Sequence, residues 1–150
     1  MKILVTGGAG FIGSNFARRT VGDAYPRLDG MDVVALDALT HSGNLANLAS
    51  ASDSPRYSFV HGDIRDAALL DQLMPTMDAV VHFTAESHVD RSVRDASIFV
   101  ETNVLGTQRL LDAALRHDLA RFVHVSTDDV YGSIAEGSWN EQRPLEPNSP

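Results

Sequence analysis

Residues 1–13, MKILVTGGAGFIG, constrain the fold of this chain more than any other stretch. A short apolar run, Ile3-Leu4-Val5, reads as a buried parallel strand, and a glycine-dense turn follows it at once. Gly7, Gly8, Gly10 and Gly13 then lead into Phe11-Ile12 and a segment that can be helical. The run contains G-x-G-x-x-G at Gly8, Gly10 and Gly13, and G-x-x-G-x-x-G from Gly7. Each glycine has a task in such a turn: a positive φ, close approach of backbone to a phosphate, or close packing of helix on strand. The free N–H groups of the helix start would face a pyrophosphate, where the helix dipole favours negative charge. Alone the spacing is a weak signal, and its place after a strand and before a helix is what strengthens it.

The rest of the chain continues in the same register. Strands are expected at residues 2–6, 32–36 (ending at Asp37), 57–61, 79–83 and 121–126. Helices are expected at 11–21, 45–49, 67–74 with Asp66 as N-cap, and 98–117. On the last of these, Val100, Val104, Leu110, Leu111, Ala114 and Leu115 are expected to form the buried side. Residues 132–150 read as loop. Strand and helix in alternation predict an α/β fold, a doubly wound parallel sheet with helices on both faces.

With 150 residues there is one domain's worth of chain, and 43% hydrophobic with 21% charged residues fits a globular protein. No apolar run approaches the length of a membrane span, no signal peptide precedes the first strand, and a cytoplasmic location is expected. Cysteine is absent, which excludes disulfides and thiolate chemistry. A net charge of −8 without a basic stripe argues against nucleic acid as a partner.

Asp37 lies 24 residues after Gly13 at the end of the second strand. A carboxylate there accepts hydrogen bonds from the adenine-ribose hydroxyls of NAD and repels the 2′-phosphate of NADP. No arginine follows; Ala38 and Leu39 do. The plainer alternative is an ordinary strand-capping aspartate. Asp63, in Gly62-Asp63-Ile64 after strand three, stands where side chains can reach an adenine, or is a turn residue.

Two segments place polar residues at strand ends, where ligands of such sheets bind. One runs from Val81 to Ser92 (VHFTAESHVDRS) and the other from Val125 to Gly132 (VSTDDVYG). Adjacent Asp128 and Asp129 would diverge on a strand but could reach one ligand from a turn. A bare pair of this kind more commonly marks an N-cap and a solvated turn. His82 and His124, inside apolar strands, are expected to be satisfied core residues, and His61, His82, His88 and His124 show no metal-ligand spacing. Trp139 is expected to be a packing anchor.

These pieces, TGGAGFIG, LDALTHSGNL, GDIRD, VVHFTAESHVDRS, ETNVLGTQRLL, RFVHVSTDDVYG and EGSWNEQRPLEPNSP, cover nearly the whole chain. In that order they resemble the extended short-chain dehydrogenase/reductase superfamily and, within it, the dTDP-glucose 4,6-dehydratase family. HVDRS joined to STD-x-VYG is far more specific than the glycine motif. The resemblance implies an NAD-dependent dehydration of dTDP-glucose to dTDP-4-keto-6-deoxyglucose. A hydride passes from C4 to NAD, water is lost across C5–C6, and the hydride returns to C6. It also implies a Rossmann-type domain whose NAD site comprises Gly7, Gly10, Phe11, Ile12, Gly13, Asp37, Ala38, Leu39, Thr40, Asp63, Ile64, Phe83, Thr84, Ala85 and Thr102. Asp128 would be the acid for the departing C6 hydroxyl, Asp129 the base at C5, Thr127 a partner near O4, and Ser87 a substrate contact. A homodimer packed through long helices, residues 98–117 among them, is implied as well.

The chain departs from the family pattern in three places. Asp129 stands where a glutamate is usual, Thr84 where a small alanine is usual, and no Tyr-x-x-x-Lys occurs: none of Tyr25, Tyr57 and Tyr131 is followed by lysine at i+4. The sequence is therefore expected to represent an N-terminal portion that lacks the C-terminal substrate domain and does not complete catalysis by itself. A non-catalytic NAD-binding module, or a related sugar-nucleotide epimerase or decarboxylase, is the alternative.

Overall fold

The computed structural model describes residues 1–88, 92–93 and 95–148. Val89, Asp90 and Arg91 of the HVDRS motif and the terminal Ser149-Pro150 lie outside the described residues. Five parallel strands form one sheet: β1 (Lys2–Thr6), β2 (Asp32–Asp37), β3 (Tyr57–His61), β4 (Ala79–His82) and β5 (Arg121–His124), in the order β3-β2-β1-β4-β5. The chain builds outward from β1 to β3, then crosses back to place β4 on the other side of β1. The carboxyl ends of β1 and β4 flank this reversal, where a crevice opens in such sheets.

β1 is central, and Ile3, Leu4, Val5 and Thr6 are all buried. Successive side chains point to opposite faces, so two cores form. Ile3, Val5, Val33 and Ala35 pack with Ala17 and Val21 of α1 (Phe11–Val21) on one face. Leu4, Val34, Leu36 and Val80 pack on the other with Leu70, Met74 and Leu110. The continuous apolar strands of the sequence are thus explained by burial on both sides.

Strands β4 and β5 are shorter than expected, ending at His82 and His124 instead of residues 83 and 126. β1 stops at Thr6 because Gly7 turns the backbone away with φ +65°, so β4 loses its neighbour after one further bond, Phe83 N–H to Thr6 O. α2 (Ala67–Leu73) carries the expected cap, with Asp66 accepting from the Leu69 N–H. It ends before Met74 and tightens into a 3₁₀ turn at Met74–Thr76, because Pro75 has no N–H to continue the i→i−4 bonding of the helix. The short helix after β2 is likewise 3₁₀, spanning Leu45–Ala51.

The long helix differs most. It opens with a turn, α3 (Ser97–Phe99), continues as a π-helical segment over Val100–Gly106, and becomes regular in α4 (Thr107–Arg116). Of the six residues expected on its buried side, Leu110 and Ala114 are buried, but Val100, Val104, Leu111 and Leu115 are 56%, 62%, 41% and 77% exposed. The wide π turns rotate the first half relative to α4, and the buried positions of the helix are Phe99, Gly106, Leu110, Ala113 and Ala114. The remaining apolar residues form a separate, exposed stripe.

α1 starts against the glycine turn with no room to spare: a Cβ on Gly13 would lie 2.2 Å from the Gly7 carbonyl oxygen. Glycine-to-alanine inside a helix is ordinarily worth about 1 kcal/mol of stabilisation. Gly13→Ala is expected to reverse that sign and cost about 1–3 kcal/mol, as overpacking does. Urea unfolding of the variant checks this, and an unchanged or raised midpoint would show that the turn can yield.

Candidate functional site

Two clefts open along the carboxyl edge of the sheet, and they share a wall. The first, about 310 Å³, lies over the glycine turn. Gly7, Gly10 and Gly13 with Phe11 and Ile12 form its floor, and Asp37, Ala38 and Thr40 one side. Asp63 and Ile64 close one end, while Phe83, Thr84, Ala85 and Thr102 make the opposite side. The structure thus brings together every expected cofactor residue except Leu39. That side chain turns away at φ +52° and packs on the core beneath β1.

Local bonds explain the shape of this cleft. The Gly10 N–H bonds back to Gly7 O at 3.1 Å, and the Gly8 N–H to Leu36 O at 3.2 Å, which ties the turn to the ends of β1 and β2. Gly10 caps α1 without a side-chain bond, so the first-turn N–H groups, which have no intrahelical partner, are left for a ligand. Asp37 accepts from the Ala9 N–H at 2.9 Å with Oδ2 and from the Leu39 N–H at 2.8 Å with Oδ1. Its carboxylate is held in place, and each oxygen keeps a second lone pair for a hydroxyl. These features fit a dinucleotide: backbone donors for the pyrophosphate and a fixed carboxylate for the ribose.

Asp63 is in position but engaged. Its carboxylate takes the Arg65 backbone N–H at 2.8 Å and the Arg65 guanidinium at 2.7 Å, and that hydrogen bond holds its pKa below the usual value. Arg65 in turn reaches Glu101 at 2.7 Å.

The second cleft, about 610 Å³, joins the first through Ile12 and residues 83–87. Ser87, Thr127, Asp128 and Asp129 all line it. Residues 128–131 form a 3₁₀ turn rather than a strand end, capped by Thr127, whose Oγ1 accepts from the Asp129 N–H at 3.2 Å. The turn is what lets two adjacent carboxylates border one cleft.

His82 is buried as expected, its Nδ1 2.6 Å from Thr6 Oγ1 and its Nε2 3.0 Å from Thr107 Oγ1. Burial, with a smaller contribution from His124, pushes its pKa down to about 4. His124 is not a core residue: β5 has a single neighbouring strand in the described sheet, and the ring is exposed, 5.1 Å from His82, on the wall of the second cleft. Trp139 packs on Tyr131 with ring centroids 5.8 Å apart. Sequence reasoning missed Glu86, Asn103 and Thr107, which line the second cleft. The spacing of Asn103 and Thr107, two polar residues one helical turn apart on either side of Val104-Leu105-Gly106, was the available signal. Among the described residues no group of three His, Asp or Glu side chains could hold a metal ion, and no helix is long and apolar enough to cross a membrane.

Residues 4–150 match the family described as GDP-mannose 4,6 dehydratase. The whole chain is 57% identical to a dTDP-glucose 4,6-dehydratase of Streptomyces niveus and spans 45% of that protein. The structure of DesIV, a dTDP-glucose 4,6-dehydratase from Streptomyces venezuelae with NAD bound, superposes with a TM-score of 0.96 at 60% identity, covering 99% of this chain and 46% of that one. The Bacillus anthracis dTDP-glucose 4,6-dehydratase in complex with NAD gives a TM-score of 0.86 at 42% identity, over 100% of this chain and 45% of that one. The chain therefore spans about half the length of the relatives it matches.

His82 dictates a pH dependence. The unfolded chain takes up its proton near the ordinary histidine value of 6.5 and the folded one only near 4, so the unfolded state binds more protons in between. Stability from this group is full above 6.5 and is lost as pH falls towards 4, by ~3 kcal/mol at most. Asp23, Asp63 and Asp71, whose pKa values are lowered, act only below 3.8. Urea midpoints at about pH 7 and about pH 4.5 should differ clearly in the parent chain and much less in His82→Gln. Equal drops in both would assign the dependence to other groups.

Proposed function

Because the chain belongs to the GDP-mannose 4,6-dehydratase family, we propose that its 150 residues form the NAD-binding half of a dTDP-glucose 4,6-dehydratase. The observation that carries this reading is the pair of clefts with one common wall. A dinucleotide cradle lies on one side, and Ser87 with the Thr127-Asp128-Asp129 turn lies on the other.

NAD, when bound, supplies the acceptor and the donor for the hydride exchanged between C4 and C6 of the sugar. The protein residues bind, orient and move protons. First-turn N–H groups of α1 hold the pyrophosphate, and Asp37 accepts from the adenine ribose. Ser87 and Thr127 orient the sugar against residues 83–85, Thr127 from the O4 side. Asp128 delivers a proton to the departing C6 hydroxyl, and Asp129 removes the proton from C5. A shortening of the base by one methylene, as in Asp129 for glutamate, displaces it by roughly 1 Å, a misplacement that can cost on the order of 10²-fold in rate.

In the intact protein, dTDP-glucose should lose the mass of one water and yield a 4-keto-6-deoxy product. Asp128→Asn should lower that rate by about 10²-fold or more, within the range of general acid catalysis, while leaving NAD affinity within about threefold. Conversion of a UDP-sugar without mass loss would favour the epimerase reading, and NAD binding without any turnover the non-catalytic one. The 150 residues alone contain no Tyr-x-x-x-Lys and should bind NAD weakly without turnover.

The exposed stripe of Val100, Val104, Leu111 and Leu115 supports a homodimer packed through this helix. Leu111→Glu with Leu115→Glu should convert the intact protein from dimer to monomer in sedimentation velocity without loss of its folded circular dichroism. A parent that sediments as a monomer at micromolar concentration would rule out this interface.

A further inference from the structure

The loop leaving β4 is the wall between the two clefts: Thr84, Ala85, Glu86 and Ser87 face both. It has no strand partner, because β1 has already turned away at Gly7. One side chain replaces the missing strand. The Glu86 N–H donates to Asn103 Oδ1 at 2.8 Å, and Asn103 Nδ2 donates to the Glu86 carbonyl at 2.8 Å. The first group belongs to the peptide joining Ala85 to Glu86 and the second to the peptide joining Glu86 to Ser87. Both peptide planes are therefore fixed by a single amide, and with them the residues presented to each cleft.

Asn103 is itself held firmly. It lies in the π-helical segment Val100–Gly106, a winding that recurs at functional sites. Gly106 brings this segment onto Ile64, where a Cβ would sit 2.7 Å from Ile64 Cδ1. Glu101 reaches across to Arg65. Between these anchors Thr102 lines the first cleft and Asn103 the second.

We propose that Asn103 is a positioning residue that couples occupancy of the two clefts through the wall at residues 84–87. The clamp ties residues 84–87 into one unit against the helix, so a ligand that seats the wall from one cleft seats it for the other, and the second ligand binds more tightly. This rests on the first cleft taking NAD and the second the sugar nucleotide.

The test uses the dead-end pair of NADH and dTDP-glucose, which cannot react because both carry the reduced form of their redox couple. NADH fluorescence gives the dissociation constant in the intact protein with and without saturating dTDP-glucose. The sugar nucleotide should tighten NADH about fivefold or more. Asn103→Ala should bring that ratio to within about twofold of unity, and Asn103→Asp, which keeps the acceptor for the Glu86 N–H, to a value in between. A residue that only stabilised the fold would lower the melting temperature or weaken both ligands and leave the ratio unchanged. The proposal is overturned if either variant keeps the parent ratio, or if the parent binds both ligands without coupling. Should Asn103→Ala not fold, the ratio in Asn103→Asp decides alone. Failure of NADH to bind at all would instead remove the reading of the first cleft, and this proposal with it.

Discussion

At the end of β1 the chain must leave the middle of a sheet that is buried on both faces, turn, and start a helix within a few residues. Gly7 supplies the turn at φ +65°, where its missing Cβ would otherwise lie 2.9 Å from the Thr84 nitrogen. Gly13 then allows α1 to rest on the carbonyl of that same turn. This close packing fixes where the first helical N–H groups point. It also ends β1 early enough for the chain after β4 to run on without a strand neighbour. The cradle and the wall beside it have one steric origin.

The wall makes the site a joint construction of distant segments. Asp37 comes from β2, the floor from the first turn of α1, the opposite side from the chain after β4, and the paired carboxylates from the turn after β5. Parallel strands deliver all of these to one edge, because each crossover helix returns the chain to the same starting side. His82 shows how tightly that edge is integrated. Its two ring nitrogens meet hydroxyls of β1 and α4, at a position too buried to carry charge near neutrality.

Much of this was legible in the residues. Apolar runs three to five residues long marked the strands, Asp66 marked a helix start, and the glycine spacing with Asp37 marked the cradle, because each depends on contacts within a few residues. The exceptions are as informative. Leu39 follows Asp37 directly, yet its backbone turns at φ +52° and sends the side chain to the core. Val104 and Leu111 carry the apolar character of a buried face, yet they are exposed. The π-helical winding between them, invisible in composition, rotates that face off the sheet.

The sequence by itself determined that strands and helices alternate, that a glycine turn opens the first helix, and that a carboxylate stands at the end of β2. Those properties follow from local sterics and from the period of the apolar residues. Only the tertiary structure decided that Asp128 and Asp129 share a turn at one cleft, that His124 lines that cleft instead of the core, and that Asn103 clamps Glu86. Each of these joins segments 17 or more residues apart or depends on which face of an element is covered. Such placements are settled by packing across the sheet, not by the residues nearest in the chain.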